Sequence, residues 1–177
     1  MSKIPNISDL SSQAQALITK WHSTGKHVNV ARPSWDQYYL DLAFQVRSKS
    51  IDSQTQCGAV ITTGDHVPLG LGYNSFVKEI DDSVLPNVRP DKYPFMVHAE
   101  INAVLNCSLR PVGGILYVTG PPCDQCLQLV WQSGIREIVY ANSEIHMCKE
   151  GSDVAIRTEI LLWLLQQKGL VYRQVEH

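Results

Sequence analysis

The chain has 177 residues, 44% of them hydrophobic and 18% charged, which fits one compact domain with a proper core. The net charge of -2, without a basic cluster, gives no general attraction to nucleic acid and favours small substrates. No apolar run is long enough to span a bilayer, and the N-terminus lacks a secretory pattern, so we expect a cytoplasmic protein without a membrane partner.

Residues 1–33 are mostly polar and irregular and predict an N-terminal extension, with a possible helix around Ile7 to Trp21. The main domain is expected to cover residues 34–177. It opens with a capping-box pattern at Ser34 and Gln37, followed by apolar residues at helical spacing. We expect this helix to cover a sheet.

Two strands are predicted next, at 57–62 and 67–73, joined by a turn at 63–65 into a β-hairpin. A segment of about twenty residues follows, 74–94, which we call the long loop, and loops of this length are usually functional or disordered.

Helices and strands then alternate along the rest of the chain. The predicted elements are a helix at 98–107, a strand at 115–119, a helix at 123–132, a strand at 137–140, a helix capped by Ser152 or Asp153 and ending near Gly169, and a strand at 170–175. The expected fold is therefore α/β, a three-layer α/β/α arrangement with a five-stranded mixed sheet covered by helices on both faces.

The most informative motif is His98-Ala99-Glu100 followed by Cys123-Asp124-Gln125-Cys126. An imidazole and two thiolates are zinc ligands that leave a fourth position open for water, and the unligated Glu100 can serve as base and then acid. If each half of the motif opens a helix, Cys123 and Cys126 share one face, and His98 and Glu100 can meet only at a helix start. The pattern is typical of zinc-dependent nucleobase deamination.

Four alternatives stay open at this point. The Cys-x-x-Cys pair could be redox-active, but His98 and Glu100 would then have no role. A structural zinc site would normally be closed by a fourth protein ligand, and a non-catalytic zinc domain has no use for Glu100. A deaminase of tRNA or single-stranded DNA would use the same chemistry. The other cysteines, Cys57, Cys107 and Cys148, are expected to be reduced, buried side chains.

The motif order, together with three further segments, resembles the deoxycytidylate deaminases of the cytidine deaminase-like superfamily, in a viral (phage-type) or bacterial-type form. These segments are 72–74, 81–86 and 92–100, and the resemblance extends over about 34–175. It implies hydrolytic deamination of dCMP to dUMP and ammonia, which feeds thymidylate synthesis, with Zn²⁺ on His98, Cys123 and Cys126 and with Glu100 as proton shuttle. Another cytosine nucleotide, dCTP, is the alternative small substrate.

The same resemblance implies contacts with the nucleotide. Asn74 would bind the deoxyribose, and Lys49 stands where the family usually has an arginine for the 5′-phosphate. Lysine offers a point charge in place of a bidentate fork, so Arg89 or a group from a neighbouring subunit could assist. Ala99 is also a predicted substrate contact. Tyr93 lies beside the motif and could flank the pyrimidine ring, with a place in the core as the alternative. A solvated residue at a helix end is the alternative for Lys49.

Allosteric control is also implied: activation by dCTP and inhibition by dTTP, each bound with Mg²⁺ at the long loop of a homo-hexamer. The implied effector contacts are Asn74, Ser75, Phe76, Lys78, Asp81 and Asp82. Ser75 replaces the family's glycine, and Phe76, Val77 and Ile80 replace small or polar residues. These apolar side chains could instead be buried against another subunit.

Overall fold

The structure is a computed structural model that describes residues 6–25, 31–141 and 151–177, so the prediction for Cys148 lies outside the described residues. The chain divides into two units, Met1–Arg32 and Pro33–His177. The first contains helix α1, Ser12–Ser23, which starts later than predicted because the Ser11 side chain accepts a hydrogen bond from the Ala14 amide and so fixes the N-cap.

The second unit is built on a five-stranded mixed sheet, as predicted. Its strands are β1 Gly58–Thr62, β2 Pro68–Tyr73, β3 Ile115–Val118, β4 Glu137–Ala141 and β5 Val171–Val175. They lie in the order β2-β1-β3-β4-β5. The pairs β1–β2 and β1–β3 are antiparallel, whereas β3–β4 and β4–β5 are parallel. The predicted hairpin is therefore confirmed, and the alternating half of the chain forms the parallel part of the sheet.

Helices cover both faces of this sheet, which confirms the three-layer arrangement. They are α2 Trp35–Arg47, α3 Ala99–Leu105, α4 Asp124–Ser133 and α5 Asp153–Gln166, with a 3₁₀ turn at Tyr93–Phe95. Side chains of α2 pack with Val60 and Tyr117 on one face, while α3, α4 and α5 pack with Ile61 and Leu116 on the other. No helix within the described ranges has the length and apolar character needed to cross a membrane.

Helix α3 lies directly against β2 because β2 carries glycine where the two meet. A Cβ on Gly72 would lie 2.2 Å from both the Ala99 carbonyl oxygen and the Ala103 amide nitrogen. Both atoms belong to the α3 backbone and cannot rotate away as a side chain could. Gly72 therefore sets the distance between β2 and the helix that begins after His98.

We expect Gly72→Ala to push α3 away from the sheet and to lower the free energy of unfolding by at least about 2 kcal/mol. Gly64→Ala is the matched control, because its Cβ would be 3.3 Å from the Gly113 carbonyl oxygen. Chemical denaturation of both variants checks this. Equal stabilities of the two variants would contradict the close packing of α3 on β2.

Candidate metal centre and active site

The predicted zinc ligands lie at the starts of two neighbouring helices. His98 is the N-cap of α3 and Cys123 the N-cap of α4, both with extended backbone, and Cys126 lies in the first turn of α4. Neither N-cap side chain makes the hydrogen bond that usually caps a helix. The imidazole and the thiol therefore remain available for each other and for a shared ligand.

The three side chains converge. The Nδ1 atom of His98 is 3.2 Å from Cys126 Sγ and 3.5 Å from Cys123 Sγ. One potential ligand atom from each residue lies within 4.8 Å of those of the other two. One nitrogen and two sulfurs are a ligand set that zinc prefers, and three protein ligands are typical of catalytic zinc sites. The residues present therefore fit zinc.

The groups around Cys123 favour the deprotonated form of its thiol. A hydrogen bond from Cys126, together with the His98 contact, outweighs burial and lowers the pKa of Cys123 to about 4. The same contact with Cys123, reinforced by burial, raises the pKa of Cys126. Cys123 is thus a thiolate at neutral pH, the form that metal ligation requires.

Glu100 lies in the first turn of α3 and is 1% exposed. Neither of its carboxylate oxygens has a hydrogen-bond partner among the described residues. Burial raises the pKa of Glu100. Burial of the Cys57 thiol, followed by the nearby charge of Glu100, also raises the pKa of Cys57 to about 12. A buried carboxylate without partners costs free energy, which indicates a role toward a ligand or a proton.

The residues predicted to contact substrate differ in their surroundings. Ala99 is buried between His98 and Glu100, while Tyr93 is 56% exposed and Lys49 is exposed just beyond α2. Arg89 is exposed, and its guanidinium donates to Thr55 Oγ1. The structure places Ala99 next to Glu100 in the first turn of α3, and Lys49 and Arg89 at the surface.

Asn74 is buried in a network that the sequence did not indicate. Its Oδ1 accepts from the Cys57 amide at 2.7 Å. Its Nδ2 donates to the Thr55 carbonyl oxygen at 2.9 Å and to Asp52 Oδ2 at 3.2 Å. Both amide hydrogens are therefore occupied, and the side chain can offer a ligand only the second lone pair of Oδ1.

The predicted effector residues also separate into buried and exposed groups. Phe76 is 3% exposed within its own chain, so its side chain is buried without the second subunit that the alternative for this residue requires. Ser75 forms a β-bridge with Val97. Lys78 Nζ donates to Asn106 Oδ1 at 3.0 Å, and Asp81 accepts hydrogen bonds from Ser83. Asp82 is exposed.

Sequence reasoning did not identify Asp52, whose carboxylate forms a buried ion pair with Lys92. Burial acts to raise the pKa of Asp52, but hydrogen bonds from Lys92 and from the Thr55 and Gln54 amides bring the pKa below its usual value. The two residues are 40 positions apart, so no local spacing pattern could have paired them.

Comparison with known proteins agrees with this geometry. Residues 33–142 match the family model described as the cytidine and deoxycytidylate deaminase zinc-binding region. The chain is 34% identical over 147 residues to human deoxycytidylate deaminase, covering 79% of each chain. It is 33% identical over 125 residues to deoxycytidylate deaminase of Mycobacterium phage D29, covering 63% of this chain and 97% of the phage protein.

The fold has a counterpart among solved structures. The dCMP deaminase of cyanophage S-TIM5, crystallised with dCMP and dUMP, superposes with a TM-score of 0.63. The match covers 82% of this chain and 100% of the cyanophage chain, at 22% identity. At that identity, the likeness establishes the shared fold.

Proposed function

Because the chain belongs to the family of cytidine and deoxycytidylate deaminases, we propose that it converts dCMP and water into dUMP and ammonia. The observation that carries the proposal is the convergence of His98, Cys123 and Cys126 beside the buried, unpartnered carboxylate of Glu100. The similarity to the human deoxycytidylate deaminase supports the choice of dCMP among cytosine compounds.

In the proposed mechanism, His98, Cys123 and Cys126 hold zinc, which when bound supplies a Lewis acid that activates water for attack on C4 of cytosine. Glu100 takes a proton from the attacking water and passes it to the ring nitrogen N3. Glu100 then takes the remaining proton of that water from the hydroxyl on C4 and delivers it to the amino group. The C4–N bond breaks, ammonia leaves, and the C4 carbonyl of uracil forms. Burial raises the pKa of Glu100, which suits a group that must both accept and return protons.

The nucleotide is proposed to be held by residues on either side of this centre. Asn74 accepts a hydrogen bond from the 3′-hydroxyl through the free lone pair of Oδ1, because its amide hydrogens are occupied. The base lies against Ala99 and Tyr93. Lys49, with Arg89, attracts the 5′-phosphate as an exposed cation.

We expect Lys49→Gln to raise the KM for dCMP about tenfold, because a charge-assisted contact to the phosphate is lost. The value of kcat/KM for deoxycytidine, which has no phosphate, should stay unchanged. Steady-state kinetics with both substrates check this, with the exposed Lys168→Gln as charge-matched control. A similar loss on both substrates would mean that Lys49 does not bind the phosphate.

Regulation is proposed at the long loop. Lys78, Asp81 and Asp82 are polar and close together along the chain, next to Ser75, while buried Phe76 anchors the loop from within. We propose that this surface binds dCTP as activator and dTTP as inhibitor, each with Mg²⁺, in a homo-hexamer. A cytoplasmic location stays a prediction.

The specificity test is ammonia release from dCMP, dCTP, deoxycytidine and single-stranded DNA by the zinc-loaded protein. We expect selective turnover of dCMP, raised by dCTP-Mg²⁺ and lowered by dTTP-Mg²⁺. Turnover of dCMP without an effector response would remove the regulatory proposal and keep the catalytic one. Turnover of DNA alone would overturn the substrate proposal.

A further inference from the structure

The two ends of the long loop meet at one buried carboxylate. Lys92, near the end of the loop, donates from Nζ to Asp52 Oδ1 at 2.5 Å. Asn74, at its start, donates from Nδ2 to Asp52 Oδ2 at 3.2 Å. Asp52 and Lys92 are 3% and 2% exposed. A single side chain outside the loop therefore joins both of its ends.

The segment that carries Asp52 makes further bonds to the same part of the loop. Asn87 Nδ2 donates to the Ile51 carbonyl oxygen at 2.6 Å, and the Arg89 amide donates to Gln54 Oε1 at 2.9 Å. The carboxylate also accepts hydrogen bonds from the Gln54 and Thr55 amides, at 2.8 and 2.9 Å. The Asp52 carboxylate is thus bound by amides of its own segment while it also accepts hydrogen bonds from Asn74 and Lys92 of the loop.

The two ends of the long loop come together where Ser75 pairs with Val97, and we call this junction the neck of the loop. It lies directly before His98 in the chain. Ser75 and Val97 exchange backbone hydrogen bonds of 3.1 and 2.7 Å, and His98 follows Val97. Asn102 of α3 donates to the Tyr73 carbonyl oxygen at 2.8 Å and to Ser75 Oγ at 3.2 Å. The start of α3, with His98 and Glu100, is therefore connected to the strand end that Asn74 and Asp52 fix.

We propose that Asp52 and Lys92 are positioning residues, an ion pair that closes the neck of the long loop and fixes the helix start that carries His98 and Glu100. The inference rests on the proposed function, because it assigns the pair to that same site. Its physical basis is that a buried ion pair contributes little net stability but costs much when one partner is removed, and it can specify a single arrangement of the chain.

The first test is Lys92→Met, which keeps the unbranched side chain up to Cε and removes the charged Nζ, with exposed Lys168→Met as control. Hydrogen exchange should become faster at residues 75–77 and 96–100, and zinc should pass to a competing chelator about tenfold faster, with kcat for dCMP about tenfold lower. Lys168→Met should match the wild type. A lowered Tm with unchanged local exchange and unchanged zinc release would overturn the proposal.

The double variant Asp52→Asn/Lys92→Met separates positioning from stability. It contains no unpaired buried charge, so its Tm should recover part of the loss seen in Lys92→Met. Zinc release and exchange at the neck should stay fast, because the loop is still released. If zinc release and hydrogen exchange returned to wild-type rates together with the Tm, the proposal would be overturned. The double variant also serves as the test if Lys92→Met does not fold. If the wild type fails to turn over dCMP, the proposed function fails, while exchange and zinc release still judge the ion pair.

Discussion

Replacement of Glu100 by glutamine is expected to lower kcat by about 10³-fold while the protein keeps its zinc. The glutamine amide fills the same buried space but cannot accept a proton from water at neutral pH. The three proposed metal ligands, His98, Cys123 and Cys126, are unchanged, so the metal centre should persist. Steady-state kinetics with dCMP and elemental analysis on the same preparation measure both quantities.

Glu159→Gln is the matched control, because Glu159 is exposed on α5 and the substitution is chemically the same. It should leave turnover and zinc content unchanged. Wild-type activity in Glu100→Gln would exclude Glu100 as the proton shuttle. Loss of zinc together with activity would instead assign Glu100 to the metal shell.

Cys123→Ala is expected to lose both the metal and detectable turnover. Cys123 is the thiol whose pKa its neighbours lower to about 4, so it supplies the preformed thiolate of the centre. Without it, one imidazole and one thiol remain, which is too few protein ligands for a catalytic zinc site. Zinc per chain by elemental analysis, followed by activity after addition of zinc, measures the loss.

Cys107→Ala provides a cysteine control. The Cys107 thiol donates to the Ala103 carbonyl oxygen in α3 and belongs to no described metal-ligand group. Its loss should affect stability slightly and leave zinc at one per chain. If Cys123→Ala retained stoichiometric zinc, the proposed ligand set would be incorrect.

The fold was predictable where the sequence signals are local. The Ser34 cap is present as expected, with its side chain accepting from the Gln37 amide, because a capping box involves residues three positions apart. The alternation of strands and helices after the long loop also indicated the parallel part of the sheet. The predicted starts of α3 and α4 are one residue early, because His98 and Cys123 are N-caps with extended backbone.

The features that could not be predicted depend on contacts distant in sequence. The sequence assigns no separate role to Lys92, because a lysine in a polar loop is typical of a solvated side chain. Its burial follows from Asp52, which the fold brings beside it. The hydrogen bonds from the Asn74 amide to Thr55 and Asp52 likewise join residues that only the fold brings together. Local sequence patterns contain no information on contacts between residues that are distant in sequence.

The most direct test of the account is the conversion of dCMP to dUMP by one preparation of the wild-type chain, before zinc removal, after removal by a chelator, and after zinc is restored. We predict turnover in the first state, none in the second, and recovery in the third when zinc reaches one ion per chain. Turnover that survives complete removal of zinc, or no turnover of dCMP at full zinc occupancy, would contradict zinc-dependent deamination at His98, Glu100, Cys123 and Cys126.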